Sequence, residues 1–214
     1  MFRLARLWAL FVPAFCWGAS SPPLHFEPNL GQASRRVLYI ARSHGDTLFI
    51  QDHAILLEHS APDGSEAHTE LKLEGSASNT GWQALEQSAG KTFYTIGNRP
   101  ERWIRDVPQF DRLARNGVYP GIDLVLHGSE GRLEYDFVVA PGADPRRIHF
   151  CFSGQQQLSL DPAGDLIITL KSGQLIQKKP ILYQTNPDGS IQPVTGAFRL
   201  LGRKIGRASC RERV

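Results

Sequence analysis

Residues Arg132-Leu-Glu-Tyr-Asp-Phe-Val-Val-Ala140 show the strictest alternation of apolar and polar positions in the chain. Every second residue is apolar, namely Leu133, Tyr135, Phe137 and Val139. The residues between them are Arg132, Glu134, Asp136 and Val138. Successive side chains of a β-strand point to opposite faces, so this stretch predicts a strand with one apolar face and one largely polar face.

The same period of two continues in both directions, interrupted by turn residues every eight to twelve positions. The pattern predicts strands over residues 37–43, 47–51, 54–59, 69–74, 91–96, 122–127, 132–140, 148–152, 158–160, 166–170, 174–178 and 194–201. Pro120 and Gly121 predict a type II turn over residues 119–122. Helix signal is weak, with one or two turns predicted within residues 80–88. We therefore predict an all-β domain over residues 24–203, an antiparallel β-sandwich or a barrel-like pair of sheets.

The N-terminus has the layout of a secretory signal peptide over residues 1–20. Arg3 and Arg6 are followed by an apolar run from residue 7 to 17 and then by small residues. This run is shorter than the roughly 20 residues that a membrane-spanning helix needs. Cleavage after Ala19 or Ser20 predicts an exported chain that is extracellular, on the cell surface or periplasmic, with no transmembrane segment when mature. A lipid anchor at Cys16 is the alternative.

Residues 204–214 break the preceding alternation and show no strand or helix pattern. The string Ile205-Gly-Arg-Ala-Ser-Cys-Arg-Glu-Arg-Val214 resembles the in-frame translation of a sequencing adapter. We therefore expect a non-native tail and a gene fragment that ends near Arg203. A basic surface tail that binds phosphate is the alternative.

The formal charge of +3 comes from the two ends of the chain. Of the 24 basic and 21 acidic residues, the leader holds two basic ones and the tail four basic ones and one acid, which leaves 18 against 20. This balance argues against a nucleic-acid partner. Of the three cysteines only Cys151 lies in the body. The body therefore has no disulfide framework, and we interpret Cys151 as a small residue in a strand.

Three carboxylates form the strongest candidate site. Glu134 and Asp136 share one face of their predicted strand, and Asp123 lies on a neighbouring strand. Such a cluster can bind Ca²⁺ or act as a glycosidase pair. The alternative is a solvated sheet face on which Arg132 pairs with an acid.

Aromatic side chains form a second candidate. Trp103 and Tyr119, with Trp82 and Tyr94, could provide a platform for a sugar ring or could instead fill the core. The arginine-containing stretch 99–115 also carries three acids, so we interpret it as a mixed surface. The sequence contains no zinc-protease spacing, nucleophile elbow, P-loop or dinucleotide fingerprint. We therefore predict no catalytic residues, no metal and no cofactor.

Several strings occur together in one order. They are Phe26-Glu-Pro-Asn-Leu-Gly-Gln32, Tyr94-Thr-Ile-Gly-Asn98, Gly117-Val-Tyr-Pro-Gly-Ile-Asp-Leu124, the stretch from Leu133 to Pro145, and Lys179-Pro180 with Tyr183-Gln184. Together they resemble the uncharacterised N-terminal domain of exported bacterial proteins that carry SBBP-type β-propeller repeats. The resemblance implies repeat or adhesion modules downstream, but it supplies no activity and no catalytic residues.

Two functions follow from these observations. The first is a non-catalytic structural or interaction module whose partners are the downstream repeats of the same polypeptide or other surface proteins. Such a module should fold alone and leave an exposed apolar edge where its neighbour docks. The second is a polysaccharide-binding or glycan-cleaving domain that uses Asp123, Glu134, Asp136 and surface aromatics.

Overall fold

The computed structural model describes residues 6–8, 23–43, 46–60, 64–171, 173–201 and 207–210. Its strands are β1 Arg6–Trp8, β2 Phe26–Pro28, β3 Val37–Ser43, β4 Asp46–Gln51, β5 Ala54–Ser60, β6 Glu66–Leu73, β7 Gln83–Tyr94, β8 Ile104–Tyr119, β9 Ile122–Ser129, β10 Arg132–Val139, β11 His149–Ser153, β12 Gln157–Leu160, β13 Leu166–Leu170, β14 Gly173–Gln177, β15 Leu182–Thr185, β16 Ile191–Val194, β17 Phe198–Leu200 and β18 Arg207–Cys210. Two single 3₁₀ turns lie at Pro100–Arg102 and Pro145–Arg147.

Thirteen strands form one curled antiparallel sheet, which confirms the predicted all-β class. The order is β1-β10-β9-β8-β2-β3-β4-β5-β6-β11-β18-β17, and β7 pairs with β8 outside this path. Strands β12, β13 and β14 form a second sheet, and β15 pairs with β16. Within the described residues, no α-helix occurs.

Three predictions of local structure are wrong. The helical turns expected within residues 80–88 are replaced by β7, because pairing with β8 overrides local helix propensity. The single strand expected over residues 194–201 is divided between β16 and β17. The tail, expected to hold no strand, contains β18. The expected cleavage sites at residues 19–20 and the alternative anchor Cys16 lie outside the described residues.

The β9–β10 hairpin sets the geometry of the candidate site. Its two turn residues, Glu130 and Gly131, have φ of 50° and 72°, the left-handed pair that a tight hairpin turn requires. Gly121 has a φ of 73° in the predicted type II turn before β9. The register then continues without a shift from Arg132 opposite Ser129 to Val139 opposite Ile122.

The core lies against the apolar face of β10, as the alternation predicts. Tyr135, Phe137 and Phe150 are each about 1% exposed, and their ring centroids lie 5.5–6.1 Å apart. Leu166, Ile168 and Leu170 of β13 belong to the same buried cluster, so the second sheet packs on the first. Cys151 lies half-buried in β11 as a free thiol, in a strand as predicted.

Candidate functional site

The three candidate carboxylates share the face of the sheet that points away from the main core. The register pairs Glu134 with His127, Asp136 with Val125 and Val138 with Asp123. Residues directly opposite each other in antiparallel strands project to the same side. Asp123, Glu134 and Asp136 therefore lie on one face, in the arrangement that the sequence predicts.

His127 lies between two of these carboxylates, a contact that sequence reasoning missed. Its Nε2 is 3.2 Å from Oδ2 of Asp136, and its Nδ1 is 3.8 Å from Oε2 of Glu134. The three side chains are 17%, 16% and 6% exposed in the order His127, Asp136, Glu134. This is not a solvated face, so the interpretation with Arg132 paired across to an acid is wrong. Arg132 instead lies 4.0 Å from Glu130 in the adjoining turn.

Asp123 stabilises the turn that precedes β9, its own strand. Its Oδ1 accepts a hydrogen bond of 2.6 Å from the backbone N–H of Gly117. A charged acceptor for a backbone N–H is among the stronger hydrogen bonds in proteins. In this structure Asp123 therefore holds the end of β8 against the start of β9.

Tyr119 lies in the core at 2% exposure. Its hydroxyl donates to the backbone carbonyl of Glu74 at 2.9 Å. Burial, with a smaller contribution from the Glu74 carboxylate, raises the pKa of Tyr119 to about 12 although the backbone hydrogen bond at His149 opposes the shift. Beside it lies an open cleft of about 340 Å³ lined by Glu74, Gly75, Tyr119, Arg147 and His149.

Trp103 is half-buried at the tip of the β7–β8 hairpin, away from the carboxylates. Its Nε1 donates to the carbonyl of Gly97 at 3.1 Å, and the Arg105 guanidinium lies 5.4 Å from its ring centroid. Arg112, which faces His127, comes nine positions after Trp103 in the sequence, with eight residues between them. The contacts that the structure gives for Trp103 are thus with residues of the hairpin tip and not with the three acids.

A second polar cluster, centred on Glu27, joins two of the strings that carry the family resemblance. Glu27 is 8% exposed, and its Oε1 accepts from Thr92 Oγ1 at 2.5 Å. Its Oε2 accepts from the hydroxyl of Tyr94 and lies 3.3 Å from Nη1 of Arg42. Burial, and then the Glu27 carboxylate, raise the pKa of Tyr94 to about 12. We call Glu27, Arg42, Thr92 and Tyr94 the Glu27 cluster.

Arg115 is buried, so it does not belong to the mixed surface predicted over residues 99–115. It is 2% exposed, and its guanidinium donates to Thr80 Oγ1 at 2.8 Å and to the carbonyl of Ala77 at 2.9 Å. The guanidinium also lies 5.8 Å from the ring centroid of Trp82. Burial lowers the pKa of Arg115, although the negative charge of Asp52 acts in the opposite direction and raises it. Arg115 therefore ties loop backbone to β8.

The part of the chain that the structure describes contains no group of three His, Cys, Asp or Glu side chains arranged as metal ligands. Among the same residues, no helix is long and apolar enough to cross a membrane.

A family model described as a domain of unknown function, DUF7948, matches residues 26–209. The chain belongs to the DUF7948 family. No curated protein matches the chain, and no solved structure does. The matched range of the DUF7948 domain starts at the first residue of β2 and reaches into β18.

All five candidate residues of the DUF7948 domain, Trp103, Tyr119, Asp123, Glu134 and Asp136, lie inside the matched range. So does the Glu27 cluster, whose members come from β2, β3 and β7. Glu27 and Tyr94 each belong to a string that carries the family resemblance, but the sequence does not join them. Their separation of 67 residues left no local signal for the contact.

Exposed apolar side chains lie at the β7–β8 hairpin of the DUF7948 domain and in the loop beside it. Phe93 is 56% exposed, Ile96 77% and Leu30 57%. The loop lies against the hairpin, because a Cβ on Gly31 would be 3.6 Å from Cδ1 of Ile104. We call Leu30, Phe93 and Ile96 the hairpin-tip patch.

Proposed function

We propose that this chain is a non-catalytic interaction module of an exported protein and that it stands before repeat modules of the same polypeptide. One observation carries the proposal: the polar residues that could have bound a ligand or taken part in a reaction instead form hydrogen bonds that hold the fold together. Asp123 accepts from a backbone N–H, Tyr119 donates to a backbone carbonyl, and Glu27 accepts from Thr92 and Tyr94. Polar groups that form hydrogen bonds within the protein in this way position its strands and turns.

Export is supported by the sequence of the N-terminus. Arg3 and Arg6 precede an apolar run, and small residues follow it, which is the arrangement of a cleaved leader. Cys151 is compatible with an oxidising compartment because it has no second cysteine in the body to pair with. The proposed location is extracellular, on the cell surface or periplasmic.

The hairpin-tip patch supports a protein partner. Phe93 and Ile96 on the hairpin, and Leu30 in the loop beside it, are large apolar side chains left exposed, as at contact surfaces. The family resemblance makes SBBP-type propeller repeats the proposed partner. These repeats would dock against Phe93 and Ile96, the two patch residues on the hairpin itself.

Binding to the separately expressed repeat modules, measured by biolayer interferometry, tests this proposal. Ile96→Asp places a charge in the patch and should weaken binding at least about tenfold, a loss of about 1.4 kcal/mol. Ile191→Asp is the matched control, because Ile191 is 66% exposed but lies on β16. Equal affinities for the two variants would contradict the proposed docking surface.

A glycan panel tests the alternative function on the same samples. The proposal predicts no polysaccharide binding and no cleavage by the wild-type chain. Binding that Glu134→Gln abolishes, with the protein still folded, would replace the interaction module by a carbohydrate-active domain.

A further inference from the structure

Strand β10 is paired on its two sides by very different partners. On one side β9 pairs with all eight of its residues without a register shift. On the other side the described residues contribute only β1, which pairs over Arg6, Leu7 and Trp8. The second edge of β10 is thus covered by three residues.

The covering strand lies in the range predicted to be removed on export. This inference rests on that part of the proposed function, because cleavage after residue 19 or 20 separates β1 from the domain. The exposed edge would then be Arg132-Leu-Glu-Tyr-Asp-Phe-Val-Val139. It contains no proline and no bulge, two of the features with which proteins protect open edges, although Arg132, Glu134 and Asp136 are charged.

The register of β1 gives an alignment in which a strand pairs with this edge. Arg6 is opposite Asp136, and Leu7 is opposite Tyr135. The dipeptide Arg-Leu occurs also at residues 3–4, 112–113 and 199–200, and at the start of β10 itself as Arg132-Leu133. A second copy of β10 in the same antiparallel register therefore places its Arg132 opposite Asp136 and its Leu133 opposite Tyr135.

This register is symmetric. When Arg132 of one copy is opposite Asp136 of the other, the reverse pair forms as well, so one two-fold axis relates the strands. Two opposite-charge cross-strand pairs flank the axis, and they outnumber the single like-charge contact of the two Glu134 residues at the axis, which opposes the pairing. The side chain of each Glu134 has His127 as a neighbour, with 3.8 Å between Oε2 and Nδ1.

We propose that loss of the N-terminal segment lets two copies of this chain join through antiparallel pairing of their β10 edges. The joined sheets form one continuous sheet across the dimer axis. The segment that carries β1 acts as a placeholder that keeps the uncleaved chain monomeric. Arg132 and Asp136 determine the register.

The test uses the full chain with a protease site inserted between Ser20 and Ser21. Light scattering after gel filtration measures its mass before and after cleavage, and the uncleaved chain of 23.8 kDa should be a monomer. Cleavage should double the number of chains in the particle. Hydrogen exchange on β10 should remain slow after cleavage, because the partner strand protects the freed edge.

Charge variants separate this pairing from other association. Arg132→Asp should keep the cleaved chain monomeric, and adding Asp136→Arg should restore the dimer with exchanged charges. Arg199→Asp on β17 is the matched control and should dimerise like the wild type. Circular dichroism verifies that each variant is folded.

Three results would overturn the inference: a cleaved wild type that stays monomeric, a dimer that Arg132→Asp leaves intact, or a folded double variant that stays monomeric. The inserted site removes the segment whether or not a bacterial host does so. A failure of export, detected by N-terminal sequencing of the secreted protein, is therefore distinguishable from a failure of dimerisation.

Discussion

The hydroxyl of Tyr94 donates a hydrogen bond to Oε2 of Glu27, which joins β7 to β2 across 67 residues of sequence. Glu27 also accepts from Thr92 through its other oxygen. The register pairs Glu27 with Ile40, which is fully buried. The Glu27 cluster therefore anchors the long hairpin to the strands β2 and β3.

Glu27→Gln should destabilise the domain by about 2 kcal/mol, since hydrogen bonds to a charged group contribute about 1.5–3 kcal/mol. The amide keeps the shape of the side chain but replaces one carboxylate oxygen, an acceptor, by an NH₂ group, a donor. This NH₂ group would face the groups that donate to Glu27 in the wild type. Urea unfolding followed by fluorescence measures the change. Glu66→Gln, at an exposed position of β6, is the control, and equal midpoints for the two variants would show that the cluster does not support the fold.

Tyr94 and Tyr119 should ionise near pH 12, as burial raises the pKa of each from 10 to about 12. A folded state that keeps these protons binds more protons than the unfolded chain between pH 10 and 12, so stability should fall as the pH rises through this window. Absorbance at the tyrosinate band measures the titration. Tyr94→Phe and Tyr119→Phe should each remove one late-ionising group, and a wild type whose tyrosines all titrate near pH 10 would refute the assigned burial.

Asp165 should contribute stability that acid removes. Burial opposes the charge, but hydrogen bonds from Lys178 Nζ at 2.7 Å and the Lys179 backbone N–H at 2.9 Å together lower the pKa of Asp165. A depressed carboxyl pKa gives stability that is complete above the unfolded value near 3.9 and is lost as the pH falls. Unfolding of Asp165→Asn at pH 6 and at pH 3 measures this loss.

The control for Asp165 is Asp106→Asn. Asp106 pairs with Lys91 at 3.2 Å, but the side chains are 61% and 52% exposed, so the pair should contribute less than about 1 kcal/mol. The wild type and Asp165→Asn should differ by about 1.5–3 kcal/mol at pH 6 and converge at low pH. A difference that does not depend on pH would assign the effect to packing instead of charge.

His127 and Asp136 should be coupled in stability. A double-mutant cycle with His127→Ala and Asp136→Asn should give an interaction of at least about 0.5 kcal/mol, as residues in one polar network do. The pair His25 and Asp111 serves for comparison. Nδ1 of His25 lies 2.7 Å from Oδ1 of Asp111, and the two side chains are 24% and 49% exposed. A smaller interaction free energy for the pair His127–Asp136 than for the pair His25–Asp111 would contradict the expectation that burial strengthens the coupling.

The apolar face of β10 could be predicted because the alternation of apolar and polar residues lies within a single strand. The contact of His127 with Glu134 depends on the two-residue turn at Glu130-Gly131, which fixes which residues are opposite. Glu-Gly is a weaker hairpin signal than Asn-Gly or Asp-Gly, so the sequence pattern did not reveal this turn or the cross-strand pairs that it sets.

Strand β8 could not be predicted in this way. Asp106 has a φ of 56°, and the register of β8 shifts against β7 and against β9, so no single alternation runs through its sixteen residues. Arg115, which sits among surface-like residues in the sequence, is buried because backbone carbonyls from distant loops converge on it. Contacts of this range are set by the tertiary fold and leave no pattern near Arg115.

Hydrogen exchange at the hairpin-tip patch tests the central claim most directly. The chain joined to the proposed repeat modules is compared with the chain alone, and exchange is followed by mass spectrometry over residues 93–97. The interaction module predicts slower exchange there when the repeats are present, with no change over β16. Unchanged exchange at the patch, together with polysaccharide binding that depends on Glu134, would contradict the account.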